Sequence, residues 1–263
     1  KQVGDKAQDR FDYEFERTKN PYTGKIPLNI RKKEEAFSNK IEKGTDLEKS
    51  VSQKSGSNGK SFSYWKNRGP FNVGGRTRAL AIDKTNENII LAGGVSGGLW
   101  RSEDGGSSWR QLTTSRQSPS ITKIIQDPRP GKHNIWYYTS GERSGNSASA
   151  GGAFYTGTGV YKSINGGRTW SLLESTDDGS IQFASPFDIV SSIAINPQNG
   201  DIFLGTFDGV YRSQDEGNSF TEVLEGGFDN LCEVAVTPSG RVYATIDNGG
   251  IPNTGFFFSD DDG

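Results

Sequence analysis

The sequence has one cysteine, one histidine and no methionine, and it lacks any long hydrophobic run. The single cysteine, Cys232, excludes an intramolecular disulfide framework and a multi-cysteine zinc site within these residues. The single histidine, His133, excludes an HExxH metalloprotease motif. No stretch approaches the ~18 consecutive apolar residues of a membrane-spanning helix, so we expect no membrane span. Because the chain opens Lys-Gln-Val, we interpret it as a processed or excised piece, whose lack of a signal peptide carries no information about export.

Aliphatic residues are scarce, whereas glycine is abundant. Of 263 residues, 35 are Gly and 10 are Pro, while hydrophobic residues of all kinds make up 31% and aromatic residues 11%. This composition favours many short strands joined by tight turns. The length allows one large β domain or two ordinary ones. We therefore expect an all-β protein.

Charge is divided unevenly along the chain. Residues 1–68 contain 16 Lys and Arg against 10 Asp and Glu, whereas residues 69–263 contain 14 against 22. The mixed signs of the first part are typical of a solvated surface, and the acidic remainder repels a phosphate backbone. We expect no nucleic-acid partner.

Three regions differ in character. Residues 1–44 are charged and form a partly helical extension, with a turn at 21–24 and a helix from 30 to 41 that Asn29 caps. Residues 45–64 are rich in Ser, Gly and Lys, which is typical of a polar linker. Residues 65–263 contain a repeat, and we expect them to be the first part, about four blades, of a β-propeller that continues beyond the given chain.

Four segments of the third region align with one another. Their central serines are Ser102, Ser163, Ser213 and Ser259, which are separated by 61, 50 and 46 residues. Each segment begins with a glycine that an aromatic or aliphatic residue follows. The motif Ser-x-Asp/Asn-x-Gly-x-Ser/Thr-Trp/Phe comes next, and the given sequence ends at the glycine of the fourth copy, Gly263. Periods near 40–50 residues with short strands are typical of propeller blades.

The remainder of each repeat predicts three further strands. Alternating first strands are predicted at Arg78–Asp83, Ile121–Gln126, Ser191–Asn196 and Cys232–Thr237. Second strands follow at Ile89–Ala92, Ile135–Thr139, Asp201–Gly205 and Arg241–Ile246, and fourth strands at Trp170–Leu173 and Ser219–Leu224. With the glycine-led strand as the third, each repeat forms a four-stranded antiparallel blade.

The repeated motif resembles the Asp-box of β-propellers, which sialidases, sortilin-type receptors and xyloglucan-cleaving glycoside hydrolases share. We expect its carboxylate or amide to accept backbone N–H groups, its glycine to adopt a positive φ, and its aromatic ring to pack between blades. The positions are Ser102, Asp104, Gly106, Trp109, Ser163, Asn165, Gly167, Trp170, Ser213, Asp215, Gly217, Phe220, Ser259, Asp261 and Gly263. Since Asn165 replaces the carboxylate in one copy, a turn-forming role is favoured over catalysis.

A wider resemblance extends from the Asn20-Pro-Tyr-Thr-Gly segment to the Arg68-Gly-Pro-Phe-Asn-Val-Gly-Gly-Arg-Thr-Arg run. Both are similar to exported Asp-box propellers carried by the type IX secretion system. The resemblance implies a secreted or cell-surface location and contact with outer-membrane components of that system. The Asp-rich end at Asp260, Asp261 and Asp262 lacks the spacing of an EF-hand loop, so we expect no metal site there, and we expect no cofactor.

Function is left with three hypotheses. The first is a glycan- or protein-binding adhesion module, since it needs no acid–base pair. The second is a glycoside hydrolase of the sialidase or xyloglucanase kind, although the Phe-Arg-Ile-Pro start of sialidases is absent. The third is a secretion cargo without an assigned activity, held by the export machinery.

Ligand contact is predicted on the face opposite the Asp-box turns, because successive turns of a meander alternate between faces. Long connections at 140–158, 177–188 and 247–254 fall on that face, where function concentrates on rigid scaffolds, although tolerated insertions explain them equally well. The candidates are Arg76, Arg78, Glu142, Arg143, Phe154, Tyr155, Phe183 and Phe187.

Simpler roles compete with binding for several of these residues. Arg76 and Arg78 are expected to be solvated edge charges, with a central pocket as the alternative. Glu142 and Asp188 are expected to be exposed acids in loops, available as a catalytic pair only if they face one cleft. Cys232 is expected to be a small buried residue, and His133 to lie in a solvated turn.

Overall fold

The computed structural model describes residues 15–16, 19–25, 76–114, 117–143, 155–179, 185–227, 231–247 and 254–261. The chain forms two compact units, Lys1–Asn72 with Ser147–Ala153, and Val73–Asn146 with Phe154–Gly263. The predicted helix at 30–41 and the linker at 45–64 lie outside the described residues. In the described parts of the chain, no helix is long and apolar enough to cross a membrane.

The first unit contains the turn predicted at 21–24. The side-chain oxygen of Asn20 accepts the backbone N–H groups of Tyr22 at 2.9 Å and Thr23 at 3.2 Å. Gly24 then adopts a φ of +65°, which only glycine reaches without strain. The prediction of a turn is confirmed.

The second unit consists of antiparallel sheets whose strands neighbour one another in chain order. Blade 1 contains β1 Thr77–Ile82, β2 Ile90–Gly94, β3 Gly98–Ser102 and β4 Arg110–Gln111. Blade 2 contains β5 Ile121–Gln126, β6 Trp136–Ser140, β7 Val160–Ser163 and β8 Ser171–Leu172. Blade 3 contains β9 Val190–Ile195, β10 Ile202–Thr206, β11 Gly209–Ser213 and β12 Thr221–Glu225. Blade 4 contains β13 Leu231–Val236, β14 Val242–Asp247 and β15 Gly255–Ser259.

This arrangement is that of a β-propeller, and the prediction of fold class is confirmed. The second strands begin one residue later than predicted, because the preceding residue closes the hairpin. The carbonyl oxygens of Ile89 and Ile135, for example, accept the N–H groups of Asp83 and Asp127, each at 3.0 Å. A β-bulge in β5 between Ile121 and Lys123 shifts its register against β6.

Apolar side chains fill the seams between neighbouring blades. One cluster joins blades 1 and 2 through Leu91, Leu99, Ile121, Trp136 and Tyr138, with Trp170 packed against it. A second cluster joins blades 2 and 3, and a third joins blades 3 and 4. Since each seam buries residues of two sheets, a blade is stabilised mainly by its neighbours.

The innermost strands are also joined by buried polar contacts. Thr122 Oγ1 in β5 donates to the carbonyl of Val190 at 2.6 Å. Ser192 Oγ in β9 accepts the N–H of Val234 in β13 at 3.1 Å. Cys232 is fully buried in β13 as predicted, and burial raises the pKa of its thiol to about 12. The thiol is therefore protonated and unreactive at neutral pH.

The propeller has two chemically different faces. We call one of them the box face. There, the turn between the third and fourth strands of a blade lies against the turn between its first and second strands. In blade 1, for example, the Gly105 N–H donates to the Asn88 carbonyl at 3.0 Å. We call the other the link face. There, the connection between the second and third strands lies against the link from one blade to the next. The Gly98 N–H, for example, donates to the Pro119 carbonyl at 2.9 Å. The long connections at 141–159 and 173–189 belong to the link face.

Candidate functional site

Three charged candidates meet on the link face. Glu142 Oε2 lies 3.0 Å from Arg76 Nη2 and 3.3 Å from Arg78 Nη1. The Glu142 side chain is 2% exposed, whereas those of Arg76 and Arg78 are 45% and 31% exposed. The cluster ties the start of β1 in blade 1 to the connection that follows β6 in blade 2. The expectation of an exposed Glu142 is wrong, because its carboxylate is buried and paired with the arginines, whereas Arg76 and Arg78 are exposed as expected and have this ion pair in addition.

Tyr155 joins this cluster through its backbone. Its N–H donates to the Glu142 carbonyl, and the Glu142 N–H donates to its carbonyl, each at 2.8 Å. The two strands of the connection are thereby held together at its base, while the Tyr155 side chain remains 42% exposed. An aromatic ring held beside charged groups is a common platform for a sugar ring or a peptide. We call Arg76, Arg78, Glu142 and Tyr155 the link-face cluster.

Close backbone approaches fix the position of the cluster. Gly141 has a φ of +93°, and a Cβ placed there would be 2.0 Å from the Asp188 carbonyl oxygen. Gly157 donates its N–H to the same carbonyl at 2.6 Å. Only glycine fits at position 141, because any side chain would push the connection away from the link after blade 2. The backbone next to Glu142 is therefore fixed by its contact with the link after blade 2.

Asp188 does not act as a free acid. It is 3% exposed, and its Oδ2 accepts the Ser185 N–H at 2.8 Å while Ser185 Oγ accepts the Phe187 N–H at 3.2 Å. This capping box holds the 3₁₀ turn Pro186–Asp188 in place. The expectation of an exposed Asp188 is wrong, since its carboxylate satisfies backbone donors in the link.

The remaining link-face candidates divide into two groups. Phe187 packs between blades, with ring centroids 5.1 Å from Tyr211 and 5.7 Å from Phe220, so its role is packing. Arg143 is half-buried beside Glu142 and lies close enough to Cys232 to influence its thiol electrostatically. Phe154, Phe183 and most of the 247–254 connection lie outside the described residues.

A pair of carboxylates that the sequence did not single out lies at the same face of blade 3. Asp208, between β10 and β11, accepts the Thr206 hydroxyl at 2.9 Å and the Tyr211 hydroxyl at 3.4 Å. Glu222 reaches back from β12, and a Cβ on Gly209 would be 2.9 Å from its Oε1. Burial, then repulsion from Asp208 and Glu225, raises the pKa of Glu222. A carboxyl group with a raised pKa can donate a proton, and a second carboxyl group nearby can act as base or nucleophile.

The sequence contained only a weak signal for this pair. Asp208 lies in a short Phe-Asp-Gly turn rather than a long insertion, and Glu222 lies 14 positions later in an ordinary-looking strand. Only the pairing of β11 with β12, which sets Tyr211 opposite Glu222, brings the two acids together.

The box turns contain the same contacts in three blades. In blade 1, Ser102 Oγ accepts the Gly106 N–H at 2.8 Å, and Asp104 Oδ1 accepts the Ser108 N–H at 2.8 Å. The Ser108 hydroxyl also donates to Asp104 Oδ2 at 2.7 Å. These hydrogen bonds, the hydroxyl of Ser108 first, lower the Asp104 pKa to about 2. The carboxylate is therefore committed to its own turn.

The other blades repeat this geometry with different side chains. In blade 2, Asn165 Oδ1 accepts the Thr169 N–H at 3.0 Å, so an amide replaces the carboxylate. In blade 3, Asp215 accepts the Ser219 N–H at 2.9 Å, and its pKa is lowered to about 2 by the Ser219 hydroxyl and backbone. In blade 4, Ser259 Oγ donates to Asp261 at 2.6 Å, and Gly263 lies outside the described residues.

Replacing Asp104 with Asn is expected to leave the fold intact at neutral pH, with Tm changed by no more than about 2 °C. The reason is that Asn165 makes the equivalent contacts in blade 2. Because the Asp104 pKa is lowered from 3.8 to about 2, its carboxylate stabilises the folded state at pH values above 3.8. This contribution to the free energy of unfolding is lost as the pH falls towards about 2. Asp104→Asn should therefore flatten the loss of stability below pH 4, as measured by thermal unfolding from pH 2 to 7. Asp104→Ala is the control, and an equal loss from both variants at pH 7 would contradict the interpretation.

The box face has an apolar cavity of about 620 Å³ where the inner strands end. Its lining includes Ile82, Ile195, Val236 and turn prolines. Its main polar group, Gln126, is already used, since Oε1 accepts the Lys84 N–H at 2.8 Å and Nε2 donates to His133 at 2.7 Å. Within the described ranges, no group of three or more His, Cys, Asp or Glu could hold a metal ion.

Known proteins share this architecture. No protein-family model matches the chain. A xyloglucanase of Paenibacillus sp. is 26% identical over 223 residues, covering 74% of this chain and 21% of that enzyme. A xyloglucanase of Hypocrea jecorina (strain QM6a) is 32% identical over 123 residues, covering 40% of this chain and 14% of that enzyme. A solved structure of an ancestral GH74 enzyme has a TM-score of 0.52 at 26% identity, covering 65% of this chain and 22% of that one.

The chain resembles xyloglucanases. It spans about a fifth or less of the length of these relatives.

Proposed function

We propose that the protein is a glycan-active β-propeller, a glycoside hydrolase with xyloglucan as its substrate. The observation that carries the proposal is the 26% identity to the Paenibacillus xyloglucanase over 74% of this chain. The fold of the ancestral GH74 enzyme supports it at a TM-score of 0.52. Among the hypotheses drawn from the sequence, hydrolysis is thus favoured over binding alone.

The link face offers the groups that a polysaccharide would contact. The Tyr155 ring is 42% exposed, and Arg78 is 31% exposed with a guanidinium that can donate to hydroxyl groups. Sugar rings stack on aromatic faces, and their hydroxyls bind planar donors at fixed angles. Because the base of this connection is pinned at Gly141 and Gly157, the groups are held in place before a ligand arrives.

Asp208 and Glu222 are the candidate acid and base. Glycoside hydrolysis needs one carboxyl to protonate the leaving oxygen and a second to act as base or nucleophile. The raised pKa of Glu222 suits the proton donor, and Asp208, whose carboxylate accepts the Thr206 and Tyr211 hydroxyls, is the second carboxyl group. In this role Glu222 must be protonated, so activity is expected to fall as pH rises through its pKa.

Incubation of the protein with xyloglucan tests the proposal. We expect reducing ends to accumulate and oligosaccharides to appear in mass spectra, while affinity electrophoresis shows retarded migration in gels containing xyloglucan. An unsubstituted β-glucan and a starch-type α-glucan serve as matched controls. Neither retardation nor product with xyloglucan would contradict the proposal.

Recognition without cleavage is a second candidate function. It is favoured by the structural contacts of two acids. The Glu142 carboxylate pairs with Arg76 and Arg78, and the Asp188 carboxylate accepts a backbone N–H in its capping box. Retardation in the gel without any release of reducing ends would support it.

We propose that the protein is secreted or held at the cell surface. A polysaccharide of xyloglucan size meets its enzyme outside the cell, and the resemblance to type IX cargo proteins supplies the export route. Fractionation of the producing cells, with loss of surface protein on disabling the type IX system, tests this proposal, and unchanged location would contradict it.

A further inference from the structure

Each of the first three blades carries a basic residue directly before its box serine. These residues are Arg101, Lys162 and Arg212. Each points into the seam with the following blade. Arg101 shares a face of β3 with Leu99, two positions earlier, and Leu99 belongs to the cluster between blades 1 and 2. The Arg212 guanidinium lies 5.9 Å from the centre of the Phe203 ring, which belongs to the cluster between blades 3 and 4. A buried cation requires an acceptor of hydrogen bonds, preferably an anionic one.

For two of the three cations, an anionic acceptor leaves no buried side-chain donor without a partner. Lys162 Nζ donates to Glu216 Oε2 of the blade 3 box turn at 3.0 Å, and Arg212 Nε donates to Asp201 Oδ2 at 2.8 Å. Glu216 also accepts Lys132 at 3.1 Å. Glu216 has a φ of +58° and is the only described non-glycine residue in that region. This conformation is unfavourable for a glutamate, and contact with the cations of blade 2 offsets its cost.

Arg101 differs from the other two. It is 2% exposed, and its Nη1 donates to Glu103, yet its Nε and Nη2 are buried without any hydrogen-bond partner. The position that corresponds to Glu216 in the next box turn is Gly166, which has no side chain. The seam between blades 1 and 2 therefore lacks the carboxylate that the following seam supplies.

Other unpartnered donors lie in the same seam. Trp136 Nε1 and Tyr138 OH are fully buried and have no hydrogen-bond partner. Both belong to the cluster that contains Leu91, the residue paired with Arg101 across β2 and β3. A guanidinium and an indole N–H donate only, so an electron-rich acceptor satisfies them better than water, which must also donate. Leaving such groups unpaired is costly.

The charge around this seam also favours an anion. Glu103, which is 59% exposed, is the acid that faces Arg101 and lies 3.6 Å from Arg168 Nε. Arg110 pairs with Arg101 across β3 and β4. Three guanidinium groups thus surround one carboxylate, and the local potential is positive.

We propose that the seam between blades 1 and 2 binds a small monovalent inorganic anion, such as chloride, through Arg101 and the buried N–H of Trp136. The anion takes the place that the Glu216 carboxylate occupies in the next seam. It joins blade 1 to blade 2 electrostatically. The proposal does not depend on the activity of the protein.

Thermal unfolding in sodium chloride and in sodium gluconate of equal ionic strength tests the site. Gluconate is too large to enter a seam, so binding of chloride to the folded state alone should raise Tm by about 2–4 °C. Gly166→Glu supplies the missing carboxylate, and it should remove the chloride dependence. A Cβ at Gly166 has its nearest contact at 3.7 Å, from Arg168 Nη1, so the side chain has room. The φ of +72° at Gly166 is unfavourable for glutamate, so the test compares the Tm of this variant between the two salts and not with the Tm of the unaltered protein. Glu216→Gly should create a second chloride dependence in the next seam.

Two further measurements distinguish a bound anion from a general effect of salt. Arg241→Gln removes one exposed positive charge in blade 4, away from the seam, and should keep the chloride dependence, which separates a site from general screening. Crystals of the unaltered protein grown in bromide should give an anomalous peak beside Arg101. Equal Tm values in both salts, or a water rather than bromide beside Arg101, would overturn the proposal.

Discussion

Replacing Trp170 with alanine is expected to lower the free energy of unfolding by about 3–5 kcal/mol, the range for deleting a large buried aromatic. The ring packs against the cluster between blades 1 and 2, 4.9 Å from the Tyr138 ring, and its Nε1 donates to the Gly167 carbonyl at 3.1 Å. Its loss opens a cavity across a seam, so both blades are affected. Urea unfolding followed by circular dichroism measures the change.

Trp170→Phe is the matched control. Phenylalanine already occupies this box position in blade 3, where Phe220 packs against the cluster between blades 2 and 3, so the variant keeps an aromatic ring in the seam and removes the hydrogen bond to Gly167. We expect this variant to lose only about 1–2 kcal/mol, the scale of one hydrogen bond and a slightly smaller ring. Equal losses from the two variants would contradict the role of seam packing.

Replacing Glu222 with glutamine is expected to reduce xyloglucan hydrolysis at least about 100-fold, the lower end for removing a general acid. Affinity for xyloglucan should change little, because the amide keeps the size of the carboxyl. Asp208→Asn should be similarly inactive. Initial rates of reducing-end release from pH 4 to 9 measure the effect, and the residual activity of Glu222→Gln should lose the decline at high pH.

Glu174→Gln provides the control for Glu222. Glu174 is an exposed acid in the 3₁₀ turn Glu174–Thr176, so its replacement changes the same charge without touching the candidate pair. Full activity of Glu222→Gln, or an equal loss from Glu174→Gln, would exclude Glu222 as the acid. If xyloglucan is bound but never cleaved by the unaltered protein, the recognition hypothesis replaces hydrolysis.

Local features of the fold were predictable because their causes lie within a few residues. The box turns are an example, since the contacts of Ser102 and Asp104 reach only four residues ahead. Strand positions were also predicted to within one or two residues, because alternation and turn residues are local. The remaining shift came from hairpin closure at residues such as Ile89, which a pattern of apolar positions does not reveal.

The candidate site was predictable only in part. Connection length drew attention to Glu142 and Tyr155, and the start of the first strand drew attention to Arg76 and Arg78. That these residues meet was not foreseeable, since Glu142 lies 64 positions from Arg78 and belongs to another blade. Phe187 illustrates the opposite error, because a loop aromatic that suggested ligand contact packs between blades instead.

By itself, the sequence determined a β-propeller of four-stranded blades and the chemistry of its box turns, because both follow from short repeats whose interactions are local. Only the tertiary structure decided which equivalent residues have different roles. Lys162 meets the Glu216 carboxylate of the following box turn, whereas the residue at the corresponding position of the box turn that follows Arg101 is Gly166. The physical reason is that each repeat unit is completed by the neighbouring blade, whose contribution no pattern within one repeat records.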